Sequence, residues 1–162
     1  MSPFSIYDGT VPHVTAAMNT LLHLFDQMEA HASKHNTHVD ALLGARLAED
    51  MASSLLLGTL ALESLKTLDD MRKRVRTALE FAQSADRQKF VDIDVQITFD
   101  FGPKEKITTN AYGFANGYAV PNMYFHVVTA YDILRKHGIS SNALTKLCVK
   151  GSDVRFEHSK QV

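Results

Sequence analysis

The sequence predicts a mainly α protein, a four-helix bundle with a small β-hairpin before the last helix. Three observations carry that expectation. Apolar residues recur at helical spacing from Val14 to Ala82 and again from Val120 to Leu134. Between these regions the period changes to two, with Val91, Ile93, Val95, Ile97, Phe99 and Phe101 alternating with Asp92, Asp94, Gln96, Thr98 and Asp100. No apolar run reaches the ~20 residues that a membrane span needs.

Taken in order, the first helix is capped by Asp8 or Thr10, holds Pro12 in its first turn and runs to about Ala30. Val14, Ala17, Met18, Leu21, Leu24, Phe25 and Met28 form its inner stripe. His23 falls opposite the stripe and reads as solvated. His13 lies at its edge, placed to face a cavity. The polar stretch His31 to His38 reads as a loop; His31 and His35 have the spacing of a helical metal pair, but nothing nearby completes a site.

Thr37 and Asp40 make a capping box for a second helix. Leu43, Leu47, Ser54, Leu57 and Ala61 are its inner stripe, and Arg46 and Asp50 lie on that stripe one turn apart. Buried charges are rare unless paired, so Arg46 and Asp50 are either a self-satisfied pair or the charged wall of a pocket. Thr67 or Asp69 caps a third helix, Asp70 to Ala85, with Met71, Val75, Ala78, Leu79 and Ala82 inside. Its basic run Arg72, Lys73, Arg74 and Arg76 reads as a solvated face.

The period-two strand ends at the turn Gly102-Pro103-Lys104-Glu105, and Lys106 to Thr109 returns as its hairpin partner. Thr109 or Asn110 starts the last helix, with Val120, Met123, Tyr124, Val127, Tyr131 and Leu134 on one stripe. Asn122, His126 and Thr129 form a polar strip beside it, leaving only Pro121, Asp132, Arg135 and Lys136 on a wet side. Such a helix is expected to be buried, so its polar strip must meet partners. Pro121 predicts a kink or break, and Gly138 a stop. The single bundle domain is drawn at 1–139, with 140–162 as an extension ordered at most in part.

A chain of 162 residues with 45% hydrophobic content and a net charge of −1 gives no electrostatic case for nucleic acid or a membrane surface. The single cysteine, Cys148, excludes an intrachain disulfide and suits a reducing compartment. Met1 to Ile6 lacks the basic start and apolar core of a secretion signal, so a cytoplasmic protein is expected.

Three segments carry a resemblance: Tyr7 to Pro12; Ala45-Arg46-Leu47-Ala48-Glu49-Asp50-Met51; and Ala119-Val120-Pro121-Asn122-Met123-Tyr124-Phe125-His126 on to Tyr131. With their spacing, they resemble the DinB/YfiT-like superfamily of helical bundles, and within it a branch known only as a domain of unknown function. The resemblance implies a DinB-like bundle. Superfamily members commonly bind metal through one histidine of the second helix and an H-x-x-x-H pair of the last. Here His126 has Asn122 before it and Ala130 after it, so that three-histidine site does not carry over. No cofactor is expected, and a divalent metal at His126 is disfavoured. The segment from Met51 to Leu68 is about twenty residues shorter than the superfamily's usual helix–loop–helix. That thins one bundle wall and favours a homodimer.

Two function classes follow. The first is a small-molecule-handling protein, an enzyme using metal-free acid/base chemistry of isomerase or lyase type inside the bundle. His126 is then acid/base or ligand, Arg46 an anion clamp, and Asp50 the group that orients either. Asn122, Tyr124, Thr129 and His13 line the substrate site. The second is a non-catalytic dimeric binding or scaffold protein in which these groups are a satisfied polar network. A metal-dependent DinB-like enzyme is a further alternative. A cavity opening onto His126 separates the first two.

Overall fold

In the computed structural model, residues 5–36, 67–101 and 104–139 are described. Helix α1 spans Ile6–His35 and helix α2 Leu68–Gln83. A single 3-10 turn, Arg87–Lys89, leads to strands β1 (Gln96–Phe101) and β2 (Glu105–Asn110). Helix α3 (Ala111–Phe114) passes through a π-helical turn, Ala115–Ala119, into helix α4 (Val120–Lys136). The second helix expected from the sequence, with Arg46 and Asp50, the short segment 51–66 and the extension from 140 onward lie outside the described residues.

Helix α1 is the spine. Its expected stripe is buried, with Leu21, Leu24, Phe25 and Met28 at 2% exposure or less. Met71 and Val75 of α2 and Met123, Val127 and Leu134 of α4 close on it from two sides. The helix starts earlier and ends later than its composition suggests. Ser5 is the N-cap, its Oγ accepting the Asp8 amide at 3.1 Å, so Asp8 falls in the first turn and Pro12 in the second. An acidic residue is favoured there by the exposed amides of the helix start. At the other end the helix continues through His31 and His35 to Asn36, which closes it in the left-handed conformation. The histidine-rich stretch is therefore helical as far as His35, where the rings of His31 and His35 lie tilted against each other with centroids 4.4 Å apart. Burial of Ala32 extends the inner stripe by one more turn and overrides the polar composition.

Helix α2 opens with a complete capping box between Thr67 and Asp70. Met71, Val75 and Ala82 are buried, as their spacing predicts. Arg72 departs from the expected solvated face. Its side chain is 12% exposed, and its guanidinium holds Asp26 at 2.8 Å and Glu29 at 2.7 Å, both on α1. Position 72 borders the apolar edge, so the arginine stem packs along α1 while its head reaches the carboxylates.

The two-stranded antiparallel sheet pairs Gln96 with Asn110 and Phe101 with Glu105. The regular strand begins at Gln96, later than the alternation starting at Val91 suggests. Val91, Ile93 and Val95 are exposed, at 47%, 36% and 42%. Their partner strand ends at Asn110, where the chain turns into α3, so the backbone beside them is helical and the ladder stops. Their carbonyls serve the helix instead: the Ala111 amide donates to Val95 (2.8 Å) and the Tyr112 amide to Ile93 (3.0 Å). Asn110 accepts the Gly113 amide on its side chain at 2.7 Å. Three of the otherwise orphaned amides at the helix start are thus satisfied. A Cβ at Gly113 would collide with the Thr109 hydroxyl, so glycine is required at this approach.

Pro121 does not break the last helix. The Val120 amide bonds to the Ala115 carbonyl, closing one wide π turn immediately ahead of the proline. A proline ring crowds the carbonyl four residues back, and a widened turn relieves that contact. Nor is α4 buried around most of its circumference: Phe125 is 62% exposed and Val128 39%. Gly138, at φ +80°, ends the helix, with the Ile139 amide returning to Leu134 at 3.1 Å.

The packing predicts an ordered pair of costs in urea denaturation. Phe25→Ala, at the centre of the spine, is expected to lose about 3–5 kcal/mol. Thr67→Ala, which removes one cap, is expected to lose about 1 kcal/mol.

Candidate functional site

Of the polar groups singled out on α4, Tyr124 meets α1 directly. Tyr124 and His126 lie two residues apart, about 200° around the helix, so they flank the stripe Met123–Val127 that packs on α1. Tyr124 reaches His13 of α1: its hydroxyl lies 2.7 Å from His13 Nδ1, with the rings edge-on at 5.9 Å. When Nδ1 is unprotonated, the phenol donates to it. Both residues were legible as candidates, but nothing in the sequence pairs them across 111 positions. Only the packing of α1 on α4 does so.

His126 is buried, at 9% exposure, and its Nδ1 is shielded from solvent. The ring of Phe125 covers one side of it, edge-on at 5.2 Å. Asn122, one turn earlier, is half-buried. Thr129 meets its polar requirement within its own helix, donating from Oγ1 to the Phe125 carbonyl at 2.8 Å. Arg46 and Asp50 lie outside the described residues, so their place relative to His126 is not part of this geometry.

Described residues line cavities of about 290 Å3 and about 700 Å3. Both lie at the start of α1, and neither has His126 in its wall. The smaller reaches Val14 and Val120, neighbours of His13 and Tyr124 along their helices.

A family model described as "Domain of unknown function (DUF1993)" matches residues 6–55 and 58–144. The chain belongs to this DUF1993 family. The match runs past the boundary drawn at 139 and takes in all three segments that carried the resemblance. Among solved structures, a DinB family member protein from Shewanella denitrificans superposes with a TM-score of 0.72. It is 24% identical and covers 94% of this chain and 95% of that one. This likeness is one of fold: the DUF1993 chain has the DinB-like helical architecture. No curated protein matches it.

The metal site common in the superfamily can be tested on α4 itself. The position one turn after His126 is Ala130, which is 1% exposed and carries no donor; the position one turn before is Asn122. Among the described residues, no three His, Cys, Asp or Glu side chains converge to hold an ion. The α4 residues do not fit a histidine-pair metal centre. No helix of the described residues is long and apolar enough to cross a membrane.

The His13–Tyr124 bond predicts a measurable coupling. In a double-mutant cycle of His13→Ala and Tyr124→Phe, the interaction term in unfolding free energy is expected near 1 kcal/mol. A term indistinguishable from zero would show that the bond does not join the two helices in solution.

Proposed function

We propose that this DUF1993 protein handles a small molecule at the α1–α4 seam, as an enzyme using metal-free acid/base chemistry of isomerase or lyase type. The observation that supports this is the hydrogen-bonded His13–Tyr124 pair, set across the packed stripe from the buried His126. Imidazole is the side chain best suited to taking and returning protons in general acid/base chemistry. A phenol hydrogen-bonded to such a ring is oriented, and its proton has a neighbouring acceptor. The pair can therefore donate to, or accept from, a substrate oxygen through Tyr124 while His13 holds the balance of the proton. His126 supplies a second acid/base group, with Asn122 as a hydrogen-bonding wall. Arg46 is assigned the anion clamp and Asp50 the group that orients Arg46 or His126, both from the helical spacing of the sequence alone.

A second reading rests on a different observation. Phe125 and Val128 are exposed on one face of α4, next to Pro121. Large apolar side chains grouped on a surface mark an interaction site more often than isolated ones do. A non-catalytic homodimer would cover this face, and the seam groups would then be a network fixing helix register.

Native mass spectrometry with elemental analysis, on wild type beside His126→Ala and Tyr124→Phe, tests these readings. Metal-free protein that retains a small mass lost in both variants is the expected result. A dimer with no retained mass, unchanged by either variant, would favour the scaffold reading. Near-stoichiometric metal lost with His126→Ala would overturn metal-free chemistry.

A further inference from the structure

We infer a second binding site, at the start of α1, for a small amphipathic amine: an apolar, ring-sized body carrying a protonated nitrogen. The inner cavity of about 290 Å3 is close to the range of small-molecule pockets. It is about twice the ~150 Å3 engineered apolar cavity that takes a benzene. Val14, Phe114 and Met123 form walls, and the small residues Ala115 and Ala119 of the π turn leave the space open. Thr10 brings the only hydroxyl among the lining residues, and it already donates to the Ile6 carbonyl at 2.6 Å. Nothing in this chamber rewards a polar group, so its occupant is apolar.

The outer cavity, about 700 Å3, shares Ile6, Phe90 and Val91 with the inner one and adjoins it. Its charged wall residues are Arg87, Asp92 and Asp94. Arg87 is engaged: its guanidinium is paired with Asp8 and lies over the Tyr7 ring at 5.7 Å. The outer wall therefore offers two carboxylates against one cation that is already neutralised, and it suits a cationic head. The placement of the π turn agrees, since single π turns inside α-helices concentrate at functional sites. The claim is one of binding and stands whether or not His126 performs chemistry.

The test is calorimetric titration at pH 7 with 3-phenylpropylamine and 3-phenylpropionate, which differ in head charge on a similar body. The amine is expected to bind wild type at least about tenfold more tightly than the carboxylate. Ala119→Leu, which fills the inner chamber, is expected to weaken the amine by about tenfold or more. The pair Asp92→Asn and Asp94→Asn, isosteric changes at exposed positions, is expected to bring the two probes within about threefold of each other. That pair decides the matter if Ala119→Leu does not fold. Absence of amine binding to wild type, a carboxylate that binds as well as the amine, an amine affinity untouched by a folded Ala119→Leu, or a charge preference untouched by the aspartate changes would each overturn the site.

Discussion

Burial of one stripe along α1 is the constraint on which the rest of the structure depends. The helix has 30 residues, which at 1.5 Å per residue is about 45 Å of continuous rod. Such a length is stable in water only if a face is covered, because helix propensity alone gives little. Ala17, Met18, Leu21, Leu24, Phe25, Met28 and Ala32 make that face, and each is almost fully buried. Helices α2 and α4 are positioned by it, and so are the polar contacts of Arg72 and Tyr124 that cross to α1. Arg72 meets Asp26 and Glu29 because Met71 and Val75 must dock on the stripe beside them. His13 meets Tyr124 because Met123 and Val127 must dock on it too.

The start of α1 and the start of α3 form one joint. Asp8 pairs with Arg87, and the Tyr7 ring meets Phe90 edge-on at 5.2 Å. The same loop then gives the carbonyls of Ile93 and Val95 to the amides of Tyr112 and Ala111. On the inner side of the hairpin, Phe99 packs on Phe114 and Tyr118 with ring centroids 4.8 and 5.0 Å away. The loop between α2 and the hairpin therefore closes one end of the bundle and caps a helix there. The segment Tyr7 to Pro12, conspicuous in the sequence, acquires a structural role in this joint: Tyr7 meets Phe90 edge-on, Asp8 pairs, Gly9 is buried, and Thr10 back-bonds.

Much of the fold was legible because its signals are local. The stripes of α1 and α2, a cap at Thr67 or Asp69, the hairpin, a helix start at Thr109 or Asn110 and the Gly138 stop each follow from a few neighbouring residues. The errors came where a local signal competed with a contact elsewhere. His31 to His35 reads as polar loop, but Ala32 packs inward and carries the helix on. Val91 to Val95 reads as strand, but the pairing strand ends at Asn110. Arg72 reads as one of four solvated cations, but α1 lies alongside it. Pro121 reads as a break, but one wide turn absorbs it.

The candidate site divides along the same line. By itself the sequence determined the helical class, the inner stripes and the short list His13, Asn122, Tyr124, His126 and Thr129, because periodicity places side chains on faces, while the DinB-like bundle came from the resemblance of three segments. Tertiary structure alone decided which of these touch. It joined His13 to Tyr124, buried His126, left Thr129 to its own helix and opened the apolar chamber beside the π turn. The reason is geometric. A repeat of 3.6 residues fixes the direction in which a side chain leaves its own helix, whereas its partner is fixed by how two helices slide and rotate as their apolar stripes interlock.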